Sequence, residues 1–196
     1  MRQRFSTPWL LLVAASCCLG ACGSSMKATQ FSNPNYDFSF VERVAVLPFE
    51  NLSNDRQAGL RATRLTITEL LASGALDVVE PGEVQAALIQ TGTFQAGRTP
   101  IPSTEQIISL GQTLDVQAFI MGTVSQSENI RSGNVQIPVV TLDLRMVEAE
   151  TGATVWAATH SEKGGSVSAK VLGTGGQPIA ETTRECVQQA LATLIE

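Results

Sequence analysis

Two short segments without a polar face place the strongest constraint on the fold. Val44–Leu47 and Ala118–Val124 are apolar runs that lack the alternation of a strand with one face in water. Such runs are typical of central strands that helices bury on both sides. We therefore predict one strand over Arg43–Phe49 and another over Ala118–Val124, in a sheet that is layered between helices.

The residues between these strands have the spacing and the end signals of helices. Asp55–Ser73 is predicted to be a helix, and Leu76–Val79 a short strand. Pro81 begins a second helix that Gly92 ends. Ser103–Gln106 has the pattern of a capping box, which predicts a third helix beginning there.

The C-terminal part predicts a hairpin followed by a last helix. Apolar residues alternate with polar ones over Val140–Met146, Glu150–Gly152 forms a turn, and Thr154–Thr159 returns as the partner strand. Pro178 begins the last helix. The predicted order is β-α-β-α-α-β-β-β-α, an α/β fold in which one mixed sheet of about five strands is covered by about four helices, over residues 41–196.

The N-terminus has the pattern of a secretory signal peptide. Arg2 and Arg4 give a basic start, Trp9–Ala15 is a short apolar run, and small residues precede Cys22. The apolar run is too short for a stable transmembrane helix, which needs about 20 residues. We expect residues 1–21 to be removed.

The residues at the cleavage position indicate lipidation. Leu19–Cys22 resembles the lipobox of bacterial lipoproteins, which implies acylation of Cys22, including palmitate, and a flexible tether over residues 22–40. More than one acyl chain gives stable membrane attachment. Gly23 is not the aspartate associated with inner-membrane retention, so the resemblance implies the periplasmic face of the outer membrane. The alternative is an ordinary secreted protein with a chance cysteine.

Charge argues against a nucleic-acid partner. The net charge of −5 becomes −7 when residues 1–21, whose only charges are Arg2 and Arg4, are removed. A nucleic-acid surface needs a clustered basic face. Arg56, Arg61 and Arg64 lie among acidic and uncharged residues, and we interpret them as the solvated face of a helix.

No set of residues predicts catalysis, a cofactor or a metal site. His160 is the one histidine, and its position suggests no fixed partner. Cys186 is either a small buried residue or a reactive thiol, and its apolar neighbours favour burial. The glycine-rich segment Gly173–Gly176 lacks the lysine followed by serine or threonine that a nucleotide-binding loop needs. Trp156 and Met146 are predicted to face each other, either in the core or as an anchor for a partner.

Several segments resemble one superfamily. Val44–Ser53, Leu110–Val124, Leu142–Val147 and Glu150–Trp156 are similar, in the same order, to segments of TolB N-terminal-like domains and CsgG-type lipoproteins. The matched stretches span most of residues 43–160. The resemblance implies the mixed fold predicted above. The superfamily includes CsgG-type secretion channels, PelC-type polysaccharide-export lipoproteins and LpoB-type activators of peptidoglycan synthases.

The resemblance leaves two functions open, and neither is enzymatic. The first is a structural or accessory subunit of an envelope export or assembly system. Such a subunit would bind other envelope proteins and could form a homo-oligomer. The second is a monomeric adaptor that activates a peptidoglycan synthase. From Cys22 to Val41 the chain spans at most roughly 65–70 Å. This short reach favours a subunit that stays close to its membrane.

Overall fold

The computed structural model describes residues 29–93, 101–132, 135–165 and 177–195. Its strands are β1 (Thr29–Ser32), β2 (Arg43–Val46), β3 (Glu50–Asn51), β4 (Asp77–Val78), β5 (Ala118–Ser132), β6 (Val135–Glu148) and β7 (Thr154–Lys163). Its helices are α1 (Ala58–Ser73), α2 (Pro81–Gln90), α3 (Thr104–Leu114) and α4 (Ile179–Ile195). The strands form one mixed sheet in the order β1-β7-β6-β5-β2-β4, and β3 pairs with β5 beside it. The predicted fold class is confirmed.

The two strands without a polar face lie side by side in the middle of the sheet. β2 pairs in parallel with both β5 and β4, with Val44 opposite Ala118. Val44, Ala45 and Phe119 are fully buried, because helices cover both faces of the sheet at this point. Parallel strands need this double cover, which accounts for the apolar runs in the sequence.

Strands β5, β6 and β7 form the antiparallel half of the sheet. Along β6, Leu142 and Leu144 are buried while Arg145 is exposed, which confirms the predicted alternation. Strands β5 and β6 are both longer than the predicted strands Ala118–Val124 and Val140–Met146, and they pair with each other as far as Ser132 opposite Val135. The exposed residues of this extension lack an apolar row, so the sequence pattern did not indicate it.

Two helical layers cover the two faces. Helices α1 and α4 pack on one face, which we call the closed face; helices α2 and α3 pack on the other. On the closed face, Gly122 allows the Phe49 ring to lie directly on the sheet, because an added Cβ would come within 2.7 Å of two ring carbons. Helix α3 begins with the predicted capping box between Ser103 and Gln106.

Residues 29–32 differ from the predicted tether. Thr29–Ser32 forms the edge strand β1, antiparallel to β7, with Thr29 opposite Thr159. Phe38–Phe40 forms a short 3-10 helix. The pairing joins residues 130 positions apart in the sequence, so no local pattern could indicate it.

Candidate interaction surface

Among the residues that the structure describes, no helix packs on one part of the sheet. On the side of α2 and α3, the apolar cluster includes Phe119 and Met121 of β5 and Val147 of β6. Farther along these strands, and across β7 and β1, the residues on this side are mainly polar or small. We call this region the open face.

A row of residues crosses the open face from strand to strand. Met121 lies opposite Arg145, Arg145 opposite Ala157, and Ala157 opposite Phe31. Residues directly opposite each other in antiparallel strands project to the same face and contact each other. Phe31 is 51% exposed, and Arg145 is also exposed. The row therefore presents an aromatic ring and a cation together.

A second, polar row runs beside the first. Asp143 accepts a hydrogen bond of 2.6 Å from Thr159 Oγ1 and another from Ser125 Oγ. Thr123 Oγ1 donates to Glu50 Oε2 at 3.4 Å, which joins β5 to the short β3. These bonds hold the two carboxylates in place on the surface of the sheet.

The two rows border a shallow cavity of about 340 Å³. It is lined by Pro48, Glu50, Ile101, Met121, Gly122, Thr123, Asp143, Leu144, Arg145, Ala157 and Thr159. Ile101 is 65% exposed at its edge. Aromatic, apolar and arginine side chains with a polar surround are the composition of protein–protein contacts. The chemistry of the open face suits binding of another protein surface.

A second depression lies between α1 and α4. It has a volume of about 370 Å³ with a more open mouth, and Ala72, Leu191 and Ile195 are among the residues that line it. Ile195 and Leu71 are exposed nearby. Glu69 also lines it and accepts a hydrogen bond of 2.9 Å from Gln188 Nε2, but none of its lining residues is an arginine or an aromatic residue.

Arg61 does not lie on the solvated helix face that the sequence analysis assigned to it. Its guanidinium is 2.5 Å from Asp55 and 3.0 Å from the Ser127 hydroxyl, and its Nε donates to Thr183 Oγ1 at 3.2 Å. Burial by itself raises the pKa of Asp55. The hydrogen bonds and charge of Arg61, with donors from Gln57 and Ser127, outweigh burial and lower the pKa below its ordinary value. This group joins α1, β5 and α4.

His160 and Cys186 are buried together beneath α4. The His160 Nε2 atom lies 3.2 Å from Glu162 Oε2, so the prediction that this histidine has no fixed partner is wrong. Cys186 is fully buried, and its Sγ lies 3.4 Å from the carbonyl oxygen of His160. Burial raises the pKa of the Cys186 thiol to about 12. The core interpretation of Cys186 is therefore confirmed, because a protonated, enclosed thiol is a poor nucleophile.

The other residues singled out in the sequence fall into two groups. Met146 and Trp156 lie opposite each other and are both buried, so they belong to the core. Cys22 and Gly173–Gly176 lie outside the described residues.

Within the described ranges, no group of three histidine, cysteine or acidic residues is arranged to hold a metal ion. The helices described there include none with the length and apolar character to cross a membrane.

Comparison with known proteins gives matches in fold only. Neither the family models nor the curated proteins match this sequence. Among solved structures, the PelC dodecamer from Paraburkholderia phytofirmans matches with a TM-score of 0.59 and 18% identity, over 87% of this chain and 99% of that chain. Lipoprotein GNA1162 from Neisseria meningitidis matches with a TM-score of 0.53 and 18% identity, over 68% of this chain and 91% of that one.

A third match is the hypothetical protein CT253 from Chlamydia trachomatis. Its TM-score is 0.51 at 12% identity, over 79% of this chain and 95% of that chain. The three structures share their overall fold with this chain, and one of them, GNA1162, is a lipoprotein by name. The specific TolB and CsgG resemblance of the sequence stays a prediction.

Proposed function

We propose that this protein is a lipid-anchored accessory subunit of a cell-envelope export or assembly system, attached through Cys22 to the periplasmic face of the outer membrane. It acts by binding other proteins, and copies of itself, rather than by catalysis. The observation that carries the proposal is the fold shared with the PelC dodecamer over nearly the whole of that chain.

If Cys22 is the anchor, the segment between the anchor and the folded domain is shorter than the tether predicted over residues 22–40. Strand β1 begins at Thr29, only seven positions after Cys22. Seven residues span at most about 25 Å when fully extended. A short tether supports a subunit that works at the membrane surface, and it weighs against an adaptor that must reach a distant synthase.

The open face is the surface proposed to meet a second copy. An interface that holds a stable complex buries about 800 Å² on each partner and depends on a few aromatic and arginine residues. Phe31 and Arg145 supply both kinds of residue on a flat sheet surface, and neither is needed to fill the core.

The test is the mass of the lipidated protein, extracted in mild detergent, by native mass spectrometry or light scattering. A closed multi-subunit assembly is expected. A monomer at every concentration would contradict the subunit proposal and would favour the monomeric adaptor, with a periplasmic synthase as the partner to seek.

A matched pair of variants locates the interface. Phe31→Asp is expected to reduce the assembly to smaller species, because it places a charge in the proposed contact. Leu60→Asp on α1 is the control, since Leu60 is 50% exposed and Phe31 is 51% exposed. If Leu60→Asp dissociates the assembly and Phe31→Asp does not, the interface lies on the helices instead of the open face.

A further inference from the structure

The register of β1 sets the direction in which the anchored end of the chain leaves the sheet. Thr29 lies opposite Thr159, and β1 runs antiparallel to β7. The residues before Thr29 therefore leave the sheet at the end where β7 reaches Lys163. If Cys22 carries lipid, as proposed above, this end of the sheet is the one nearest the membrane.

The hairpin of β5 and β6 projects from the same end. The last paired residues of β6 and β7 are Val139 and Lys163, whereas β5 and β6 remain paired as far as Ser132 and Val135. The two strands thus extend beyond the last residue of β7, and Gly164 and Gly165 pack against only the first part of the extension, at Pro138 and Ile137.

The reach of the tether and the length of the hairpin are nearly equal. Asp143 is level with Thr159 and hence with Thr29. From Asp143 to Val135 the strand rises about 26 Å over eight residues. From Thr29 to Cys22 the chain spans at most about 25 Å. A tether that runs in line with β1 brings the end of the hairpin level with the lipidated residue.

We propose that the end of the β5–β6 hairpin rests on the lipid headgroups of the bilayer that holds Cys22. The contact residues are Ile130 and Arg131 on β5 and Val135 and Gln136 on β6. The occupant of this surface is the membrane itself, and the inference rests on the proposed lipid anchor.

The side chains at this end suit a headgroup layer. Ile130 is 37% exposed although it is a large apolar residue. Arg131, Gln136 and Lys163 are exposed near it, and the carboxylates of Glu128 and the half-buried Glu162 balance the two basic charges. The aliphatic stems of basic residues can lie among apolar groups while their charges stay at the level of anionic headgroups.

The opposite end of the sheet is acidic. Acidic residues gather there at the beginnings of β2, β4 and β5 and at the turn after β6; they are Glu42, Asp77, Asp115, Glu148 and Glu150. Arg43 lies among them and pairs with Asp77 at 3.4 Å. The two ends of β6 are about 43 Å apart. An anionic membrane surface repels the acidic end more than the hairpin end, where basic and acidic residues balance, so charge and tether favour the same orientation.

The experiment places one fluorophore at either end of β6 in the lipidated, full-length protein. Ile130→Cys and Glu150→Cys supply exposed thiols, while acylation occupies Cys22 and burial protects Cys186. The labelled proteins are reconstituted into vesicles of phosphatidylethanolamine and phosphatidylglycerol that contain a lipid with a quencher in its headgroup. Vesicle flotation is measured on the same samples.

The probe at position 130 is expected to be quenched several-fold more strongly than the probe at position 150. Equal quenching in protein that floats with the vesicles would overturn the orientation and leave the lipid anchor intact. Protein with an intact Cys22 that does not float would overturn the anchor and the orientation together. Cys22→Ala combined with the position 130 probe is expected to lose both flotation and quenching.

Discussion

The closed face and the open face of the sheet differ in what covers them. Helices α1 and α4 cover the closed face, where Leu142, Trp156 and Ala158 are almost fully buried. On the other side, α2 and α3 cover the parallel half, and the antiparallel half is left to Asp143, Arg145 and their neighbours. The same strands β6 and β7 therefore supply core residues on one side and surface residues on the other.

Because of this difference, some residues of a strand contribute to the stability of the fold, and their neighbours on the other face are available for binding. Because side chains alternate along a strand, neighbours such as Ala157 and Ala158 have different tasks. The closed face supplies the apolar burial that stabilises the fold. The open face can change its side chains at little cost in stability, which suits a binding surface.

The largest effect is expected on the closed face. Ala158 is 2% exposed, and Ala158→Asp would place an uncompensated carboxylate beneath α4. We expect a loss of about 4 kcal/mol or more in the free energy of unfolding, or failure to fold. The change in the free energy of unfolding is measured by chemical denaturation, with Ala158→Asp made in the Cys22→Ala protein, which needs no detergent. A loss below about 1 kcal/mol would show that the closed face is not a packed core.

A smaller loss is expected where the sheet meets Phe49. Gly122→Val adds a side chain where the Phe49 ring lies within 2.7 Å of the first added carbon. Overpacking of this kind costs about 1–3 kcal/mol. Gly82→Ala on α2 is the control, because no atom lies within 4 Å of its added carbon. Thermal unfolding should separate the two variants, and equal melting temperatures would contradict the contact.

The Asp55–Arg61 group predicts a specific acid dependence. The pKa of Asp55 is lower in the folded protein than its ordinary value, so its ionised form stabilises the fold above the unfolded-state pKa. That contribution is lost as the pH falls through the folded-state pKa. Asp55→Asn is expected to lose about 1 kcal/mol at neutral pH. The difference from the parent protein should shrink below about pH 4, as measured by urea unfolding at several pH values.

The smallest effect is expected on the open face. Ala157→Asp places a carboxylate opposite Arg145, where solvent reaches it. The free energy of unfolding of the Cys22→Ala protein, measured at a concentration at which light scattering gives a monomer, should change by less than about 1 kcal/mol. Ala157→Asp and Ala158→Asp are the same substitution at adjacent positions on opposite faces of the sheet, so their losses of stability can be compared directly. Similar losses in both variants would mean that both faces are equally covered.

The sequence predicts most of the core and little of the surface. The double-sided burial of β2 and β5, the alternation of β6 and the capping box at Ser103 follow from local patterns, and the structure confirms each of them. These features depend on residues close together in the chain. Their physical cause, the burial of apolar side chains at a fixed period, is visible in the sequence itself.

The features that sequence analysis missed depend on distant partners. Arg61 contacts Ser127 and Thr183, which are 66 and 122 positions away. Without those partners an arginine on a helix is most simply explained as a solvated residue. The open face is also invisible in the sequence, since its residues belong to four strands and become a surface only when their registers are known.

The pairing of β1 with β7 has a consequence for the order in which the chain folds. The N-terminal strand has no partner until residues 154–163 have formed their own strand near the end of the chain. Before that, the nearest fixed strand to Cys22 is β2, 21 positions away, a span of at most about 75 Å. Once β1 docks, the free span is about 25 Å. With Cys22 anchored as proposed, completion of the sheet shortens the free segment between the lipid and the domain. Only the fully folded domain is then held close to the membrane surface.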